Sequence, residues 1–374
     1  MVKICVYAIC KNESQFVEKW LDSMQEADYI CVLDTGSTDD TYKKLKADKR
    51  VTVVKKQVIT PFRFDVARNE SMKLCPEDST ILVCTDLDEV FEPGWGETLR
   101  QIFTADPTIN RVWYTFAWGH NEIGEPEDIF RYGKIHDRNY HWIYPVHEVP
   151  ALIDPNFKER TIDVGKDIFL HHYPDKSKPR KFYLDLLKLS CEENPDNTHV
   201  RMLYARELYI QGDKEKSKNE FLEVLKMPEI EHPARREVLL NSLLQLAIIY
   251  QELGDYDEGL WYCQEFIKED YTFREPYIIM AELYHDMNML TLAEGCIEMA
   301  KKYTYRHYSW VERANTWTNA LSDIESLCLF KLGEYEKAYE VGKEALSHEP
   351  HDVRLLNNVK EFADKYIEQL KNKK

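Results

Sequence analysis

Near residue 180 the period of the hydrophobic pattern changes, and this constrains the fold more than any other feature of the 374-residue chain. Before that point, short continuous apolar runs alternate with helical spacings. Lys3–Cys10 reads KICVYAIC, Tyr29–Leu33 reads YICVL, and Val51–Val54 is a third run. Runs of this kind are buried strands. Between them Phe16, Val17, Trp20, Leu21 and Met24 recur at helical spacing, as do Tyr42 and Leu45. Two such strand–helix units before residue 55 predict an α/β fold with a mostly parallel sheet and crossover helices. From Phe182 onward strand signals vanish and helical patterns continue to the end. The length also suggests about two domains. The expected division is 1–175 for the sheet domain, 176–189 for a Pro-punctuated linker and first helix, and 190–374 for an all-α domain.

The helical half repeats itself. Leu208-Tyr-Ile-Gln-Gly212-Asp, Ala247-Ile-Ile-Tyr250-Gln-Glu-Leu-Gly254-Asp, Ala281-Glu-Leu-Tyr284-His-Asp-Met-Asn288 and Leu329-Phe-Lys-Leu-Gly333-Glu each place an apolar helix end before a Gly or Asn turn. A second amphipathic pattern follows each turn, so each phrase predicts a helix hairpin. The turns at 212, 254, 288 and 333 are 42, 34 and 45 residues apart. The second interval equals the tetratricopeptide period of about 34, and the other two leave room for insertions. The pattern resembles a tetratricopeptide-like (TPR) solenoid of about four units over residues 190–350, with Leu355, Val359, Phe362 and Tyr366 forming a final capping helix. Such arrays present surfaces to extended peptides or to a second protomer, so a homodimer through the repeats is one expectation. Trp261, Tyr262, Tyr277, Trp310 and Trp317 read mainly as packing between helices.

An apolar content of 44% allows a sizeable core, and a net charge of −17 leaves no basic stripe for nucleic-acid phosphates. No apolar run approaches the roughly 20 residues of a membrane span. The N-terminal residues lead straight into a strand instead of a leader peptide. Nine cysteines are an odd number, with no Cys-x-x-Cys pair. These features predict a reduced, cytoplasmic protein without disulfides.

The chemistry is concentrated in Ser79–Phe91, where STILVCT runs into Asp86-Leu-Asp88-Glu89. The apolar part predicts a buried strand, with the acids at its carboxyl end, where open α/β sheets bind ligands. On an extended backbone, side chains at i and i+2 face the same way. Two carboxylates held that close repel unless a cation lies between them. Oxygen ligands suit Mg²⁺ or Mn²⁺, with diphosphate oxygens completing the shell. The alternative is a turn whose acids cap the next helix. Upstream, Asp65 is expected to cap a helix carrying Arg68 and Asn69, a place suited to phosphate oxygens. Otherwise Arg68 pairs with Glu70 on a solvated face.

The succession of Lys11-Asn-Glu, Asp34-Thr-Gly-Ser-Thr-Asp39, Ala67-Arg68-Asn69 and Asp86-Leu-Asp88 resembles family 2 glycosyltransferases of the GT-A, Rossmann-like fold, over about residues 1–175. The resemblance implies that Asp34 and Asp65 contact the ribose or uracil of a nucleotide and that Arg68 and Asn69 approach its base or diphosphate. It further implies that Asp86, with the Leu87 segment, meets the ribose while Asp86 and Asp88 hold the divalent cation. Thr35 departs from the second Asp that many members carry, which weakens residue-level transfer for the nucleotide.

Downstream, Arg111–Gly119 (RVWYTFAWG) predicts a strand whose aromatics either line a sugar-binding cleft or fill the core. Residues 120–133, rich in acids around Gly124 and Pro126, read as a flexible loop able to close over a donor. His147-Glu148 resembles the Val-His-Glu segment of a bacterial subgroup. Inverting transfer needs a carboxylate to take the acceptor's proton, with Glu148 the first candidate base and Asp137 the second. A salt-bridged Glu on a strand edge is the alternative. Ile168–Tyr173 is a short strand ending in His171 and His172, one of which would complete the metal shell. Strand parity alone does not choose between them, and His172 is preferred.

The function implied is a metal-dependent inverting glycosyltransferase using a UDP-sugar and a peptide or protein acceptor. A lipopolysaccharide-core or capsule saccharide acceptor is the alternative within the class. A non-catalytic TPR scaffold with a nucleotide-binding domain is the alternative outside it.

Overall fold

A computed structural model of the chain describes residues 2–175, 181–232 and 235–372. The first part of the expected linker, 176–180, lies outside the described residues. The chain divides into two compact units, Met1–Gly119 with Ile129–Glu193, and His120–Asp128 with Asn194–Lys374.

The first unit is built in the order β1 (Ile4–Cys10), α1 (Val17–Ser23), β2 (Tyr29–Asp34), α2 (Thr41–Ala47), β3 (Val53–Lys56), α3 (Phe64–Met72), β4 (Ile81–Thr85), β5 (Glu89–Phe91) and α4 (Trp95–Ala105). It continues with β6 (Arg111–His120), β7 (Pro126–His136), β8 (Tyr140–Ile143), β9 (Val149–Leu152), β10 (Thr161–Asp163), β11 (Phe169–His172) and α5 (Lys181–Glu193). The main sheet runs β3-β2-β1-β4-β7-β6-β11-β5, with β10 also on β6, and β8–β9 form a separate pair. Strands β1, β2, β3 and β4 are mutually parallel along the sheet. Beyond β4 the directions mix, since β7 is antiparallel to β4 and β5 is antiparallel to β11.

The continuous apolar runs are explained by burial on both faces. On one side Ile4, Val6 and Ala8 of β1 pack with Trp20, Leu21, Trp95 and Leu99. On the other, Cys5 and Tyr7 pack with Cys31, Leu82, Cys84 and Trp142. The β6 aromatics differ along one face of the strand. Tyr114 and Phe116 are core residues, which overturns the cleft-lining reading for them, and Trp118 is exposed.

Residues 120–133 are not a flexible loop. Pro126–His136 is β7, and only the tip between β6 and β7 is irregular. The acids crowd that tip, while Phe130 and Tyr132 pack on Phe116 with ring centroids 5.3 and 5.2 Å away. That aromatic packing outweighs the local turn signals.

The second unit contains four helix hairpins. They are α6 (Thr198–Ile210) with α7 (Lys214–Lys226), α8 (Arg236–Leu253) with α9 (Tyr256–Glu269), α10 (Glu275–Asp286) with α11 (Leu290–Lys302), and α12 (Ala320–Lys331) with α13 (Tyr335–His348), followed by α14 (Val353–Asn372). The predicted turn residues Gly212, Gly254, Asn288 and Gly333 all have positive φ, at 88°, 81°, 58° and 82°. In each case the next residue's N–H bonds back to a carbonyl five positions earlier: Asp213 to Leu208, Asp255 to Tyr250, Met289 to Tyr284 and Glu334 to Leu329. This is the Schellman closure that favours a residue without a Cβ. The long intervals hold a 3₁₀ turn at Pro228–Glu231 and the stretch 303–319.

Candidate active site

The acidic segment does not continue the strand. β4 ends at Thr85, and the Glu89 N–H bonds to the Asp86 carbonyl at 3.1 Å, closing a turn before β5. The two Asp side chains are therefore placed by a turn, not by strand parity. Leu87, expected beside the nucleotide, points into the core and is 1% exposed. Its apolar side chain anchors the turn while Asp86 and Asp88 stay outside the core. The Tyr173 N–H fixes the turn from above by bonding to the Asp88 carbonyl at 2.8 Å.

Arg68 is the hub. It projects from α3, buried, and its Nη1 and Nη2 reach Asp86 Oδ1 and Oδ2 at 2.9 and 3.0 Å. Its Nε donates to Glu148 Oε1, and its guanidinium carbon lies 5.3 Å from the Trp142 ring centre. Three sequence-distant candidates, Arg68, Asp86 and Glu148, thus meet in one network. Arg68 does not pair with Glu70, which bonds to Lys73. Burial raises the Asp86 pKa, but the Arg68 guanidinium and the Lys134 ammonium outweigh it and hold the carboxyl well below its ordinary value. Paired geometry of this kind suits an anion-handling centre.

The backbone around Glu148 is unusual. His147, just before it, and Tyr144 have φ of 50° and 75°. Non-glycine residues in this region cost of order 1 kcal/mol or more and persist where surroundings hold them. Here the Phe64 N–H bonds to the Pro145 carbonyl at 2.9 Å, tying the segment to the start of α3.

His172 and Asp88 form a second centre beside the first. His172 Nδ1 lies 2.8 Å from the Trp118 carbonyl oxygen. That oxygen only accepts, so Nδ1 carries the hydrogen and Nε2 faces Asp88 Oδ2 at 3.4 Å. Burial lowers the His172 pKa, but Asp88 overcomes it and moves it above the ordinary value. β11 pairs with β5 so that His172 lies opposite Glu89. His171, on the other face, reaches exposed Glu92 at 3.0 Å and takes no part in the cluster. Asp88 and a His172 nitrogen whose ring partner is fixed by a carbonyl are two donors of a kind that suits a first-row divalent ion, while both Asp86 oxygens are held by Arg68.

The other expected residues have partners of their own. Asp34 is fully buried, and its Oδ1 accepts from the Gly36 and Ser37 N–H groups at 2.9 and 2.7 Å. Through that oxygen it shapes its own loop. Asp65 does not cap α3. It sits within the first turn and pairs with Arg63 at 2.9 Å, which also reaches Glu193. Asn69 makes two bonds to the backbone of Trp142, both 2.9 Å, so its amide ties α3 to β8. Asp137 is placed away from the cluster. In the antiparallel register His136 lies opposite Leu82, which puts Asp137 at the start of β4, roughly five residues or ~16 Å from Asp86. Its oxygens accept from Asn110 and Asn139.

Lys134 also belongs to the site, although no motif marks it. Its Nζ meets Glu89 Oε1 and Oε2 at 2.5 and 2.8 Å, with side chains 2% and 3% exposed. Glu89 Oε2 in turn accepts the Asp86 N–H at 2.9 Å. The third acid of the motif is therefore the turn's internal brace. A lone Lys in the apolar stretch Gly133-Lys134-Ile135 was the available signal, since a buried ammonium needs a carboxylate.

Residues 5–151 match the sequence model of Glycosyl transferase family 2. No curated protein matches. Among solved structures, the chain resembles MamA protein at 18% identity, covering 45% of this chain and 82% of that one with a TM-score of 0.35. It also resembles a thermophilic TPR protein from Thermus thermophilus at 14% identity, covering 49% and 89% with a TM-score of 0.36. Residues 5–151 form a glycosyltransferase domain of the family 2 type, and the helices of the second unit form a TPR-like repeat.

Proposed function

We propose that the protein transfers a sugar, with inversion, from a UDP-sugar to a peptide or protein acceptor, using a divalent cation at the β4–β5 turn. The observation that carries this reading is the meeting of Asp88 with the Nε2 side of His172, beside an Asp86 held by Arg68. Asp88 and His172 would hold Mn²⁺ or Mg²⁺, with Asp86 next to them. The cation would supply positive charge to the departing diphosphate, so that no general acid is needed.

Arg68 is the second source of positive charge. With donor bound, diphosphate oxygens compete with Asp86 and Glu148 for its N–H groups. Release of Glu148 from Arg68 would free a carboxylate to accept the proton of an incoming hydroxyl or thiol. The positive φ of His147 supports a role for the Glu148 segment beyond packing. The peptide acceptor rests on the helical repeat, whose kind of surface suits extended chains.

Calorimetry with UDP-sugars and Mn²⁺ tests the donor site. Wild type is expected to bind only with metal present, and Asp88→Ala and His172→Ala to lose at least tenfold in affinity. Equal binding by wild type and Asp88→Ala would sink the reading. Intact-mass detection of a sugar added to a polypeptide, against a saccharide acceptor control, tests the acceptor.

A further inference from the structure

Three cysteines from separate segments converge beneath the sheet. Cys5 comes from β1, Cys31 from β2 and Cys75 from the turn that follows α3. All three are buried and reduced. Their sulfurs all lie within 4.8 Å of one another, and Cys5 and Cys31 are 3.8 Å apart. The walls are apolar: Leu82 and Trp142 are buried beside them, with Met72, Leu74 and Val53 at the edge.

We propose that Cys5, Cys31 and Cys75 form a thiolate site for a single thiophilic d¹⁰ cation of the zinc(II) class, separate from the oxygen-rich β4–β5 turn. Zinc–sulfur bonds of about 2.3 Å place neighbouring thiolates roughly 3.8–4.0 Å apart, so only small shifts are needed to close the ring. Soft sulfur ligands select zinc-like ions over Mg²⁺ and Mn²⁺, so those two ions are not expected at the thiolates, and Asp88→Ala separates out any zinc held at the β4–β5 turn. The Leu74 carbonyl oxygen, 3.4 Å from Cys31 Sγ, is a further donor beside them. Arg138 offsets the net negative charge of three thiolates around a divalent ion, with its Nη2 bonded to the Cys75 carbonyl at 3.1 Å. Packing alone uses thiols as small hydrophobes and does not require three of them to meet.

Because the thiols are buried, the ion would load during folding. The test uses the full chain, expressed with zinc supplementation and purified reduced and without chelator. About one zinc per chain is expected, and cadmium substituted for zinc should give an ultraviolet sulfur-to-metal absorption band. In an Asp88→Ala background, Cys31→Ala and Cys75→Ala, checked as folded by circular dichroism, should each lose the band and at least nine-tenths of the metal. Asp88→Ala and Cys328→Ala should keep both. A wild-type protein that carries no zinc and shows no band with cadmium overturns the proposal, as does a band undiminished in Cys31→Ala.

Discussion

The candidate site of the sheet unit and the outer helix faces of the second unit use charge in opposite ways. In the sheet unit, Arg68 and Glu148 are 6% and 9% exposed, and Lys134 and Glu89 are more deeply buried still. Their partners lie 80 and 45 residues away in sequence. In the helical unit the ion pairs are often neighbours on one helix, such as Lys268 with Glu265 or Lys365 with Glu368, with at least one partner well exposed. Buried pairs fix a geometry at the cost of desolvation, whereas exposed pairs contribute little and keep a surface soluble. Catalysis needs charge held in place, and a solenoid needs repeated backbone closure instead.

Breaking the Lys134–Glu89 pair tests the contrast most severely. Lys134→Met leaves a buried carboxylate alone and should cost about 3–5 kcal/mol in urea unfolding of the sheet unit. The double variant Lys134→Met, Glu89→Leu should recover much of that loss while still impairing donor binding, because the Asp86 N–H loses its acceptor. If the double variant bound UDP-sugar normally, the brace would be irrelevant to the site.

Acidification gives the next largest effect. His136 donates from Nδ1 to the Asp137 carbonyl at 2.7 Å, and its Nε2 accepts from the Tyr7 hydroxyl at 2.8 Å, so the ring is neutral. Burial pushes its pKa down from 6.5 to about 4. The unfolded chain therefore binds a proton that the folded one refuses between those values. Stability from this group is intact above pH 6.5 and falls as pH drops toward 4, by up to about 3 kcal/mol. Denaturation at pH 7.5 and pH 5 should show a smaller difference in His136→Gln than in wild type.

In the helical unit, Gly254→Ala puts a Cβ at φ 81° and should lower stability by about 1–2 kcal/mol, with donor binding unchanged. The smallest effect is expected for Lys268→Ala on an exposed face, within about 0.5 kcal/mol. A larger loss there would mean that surface pairs carry more in this solenoid than the contrast allows.

Legibility in the sequence followed the same division. The helix hairpins could be read because Gly212, Gly254, Asn288 and Gly333 act within a few residues of themselves. The strands of β1, β2 and β4 could be read because both of their faces are buried. The site was only partly legible. Asp86, Asp88, Arg68, Glu148 and His172 stood out as residue types, but nothing local distinguished them from Asp34, Asp65, Asn69 or Asp137, which are used internally. Residues 120–133 were misread because turn-forming residues at the tip masked a strand held by Phe116.

The sequence alone determined the hydrophobic periods, the turn positions and the acids placed after an apolar strand, because these depend on backbone geometry and near neighbours. Tertiary structure decided which acids remain open to a ligand. A buried charge must find its counter-charge wherever the fold supplies one, and here Arg68, Lys134 and His172 were supplied from remote segments.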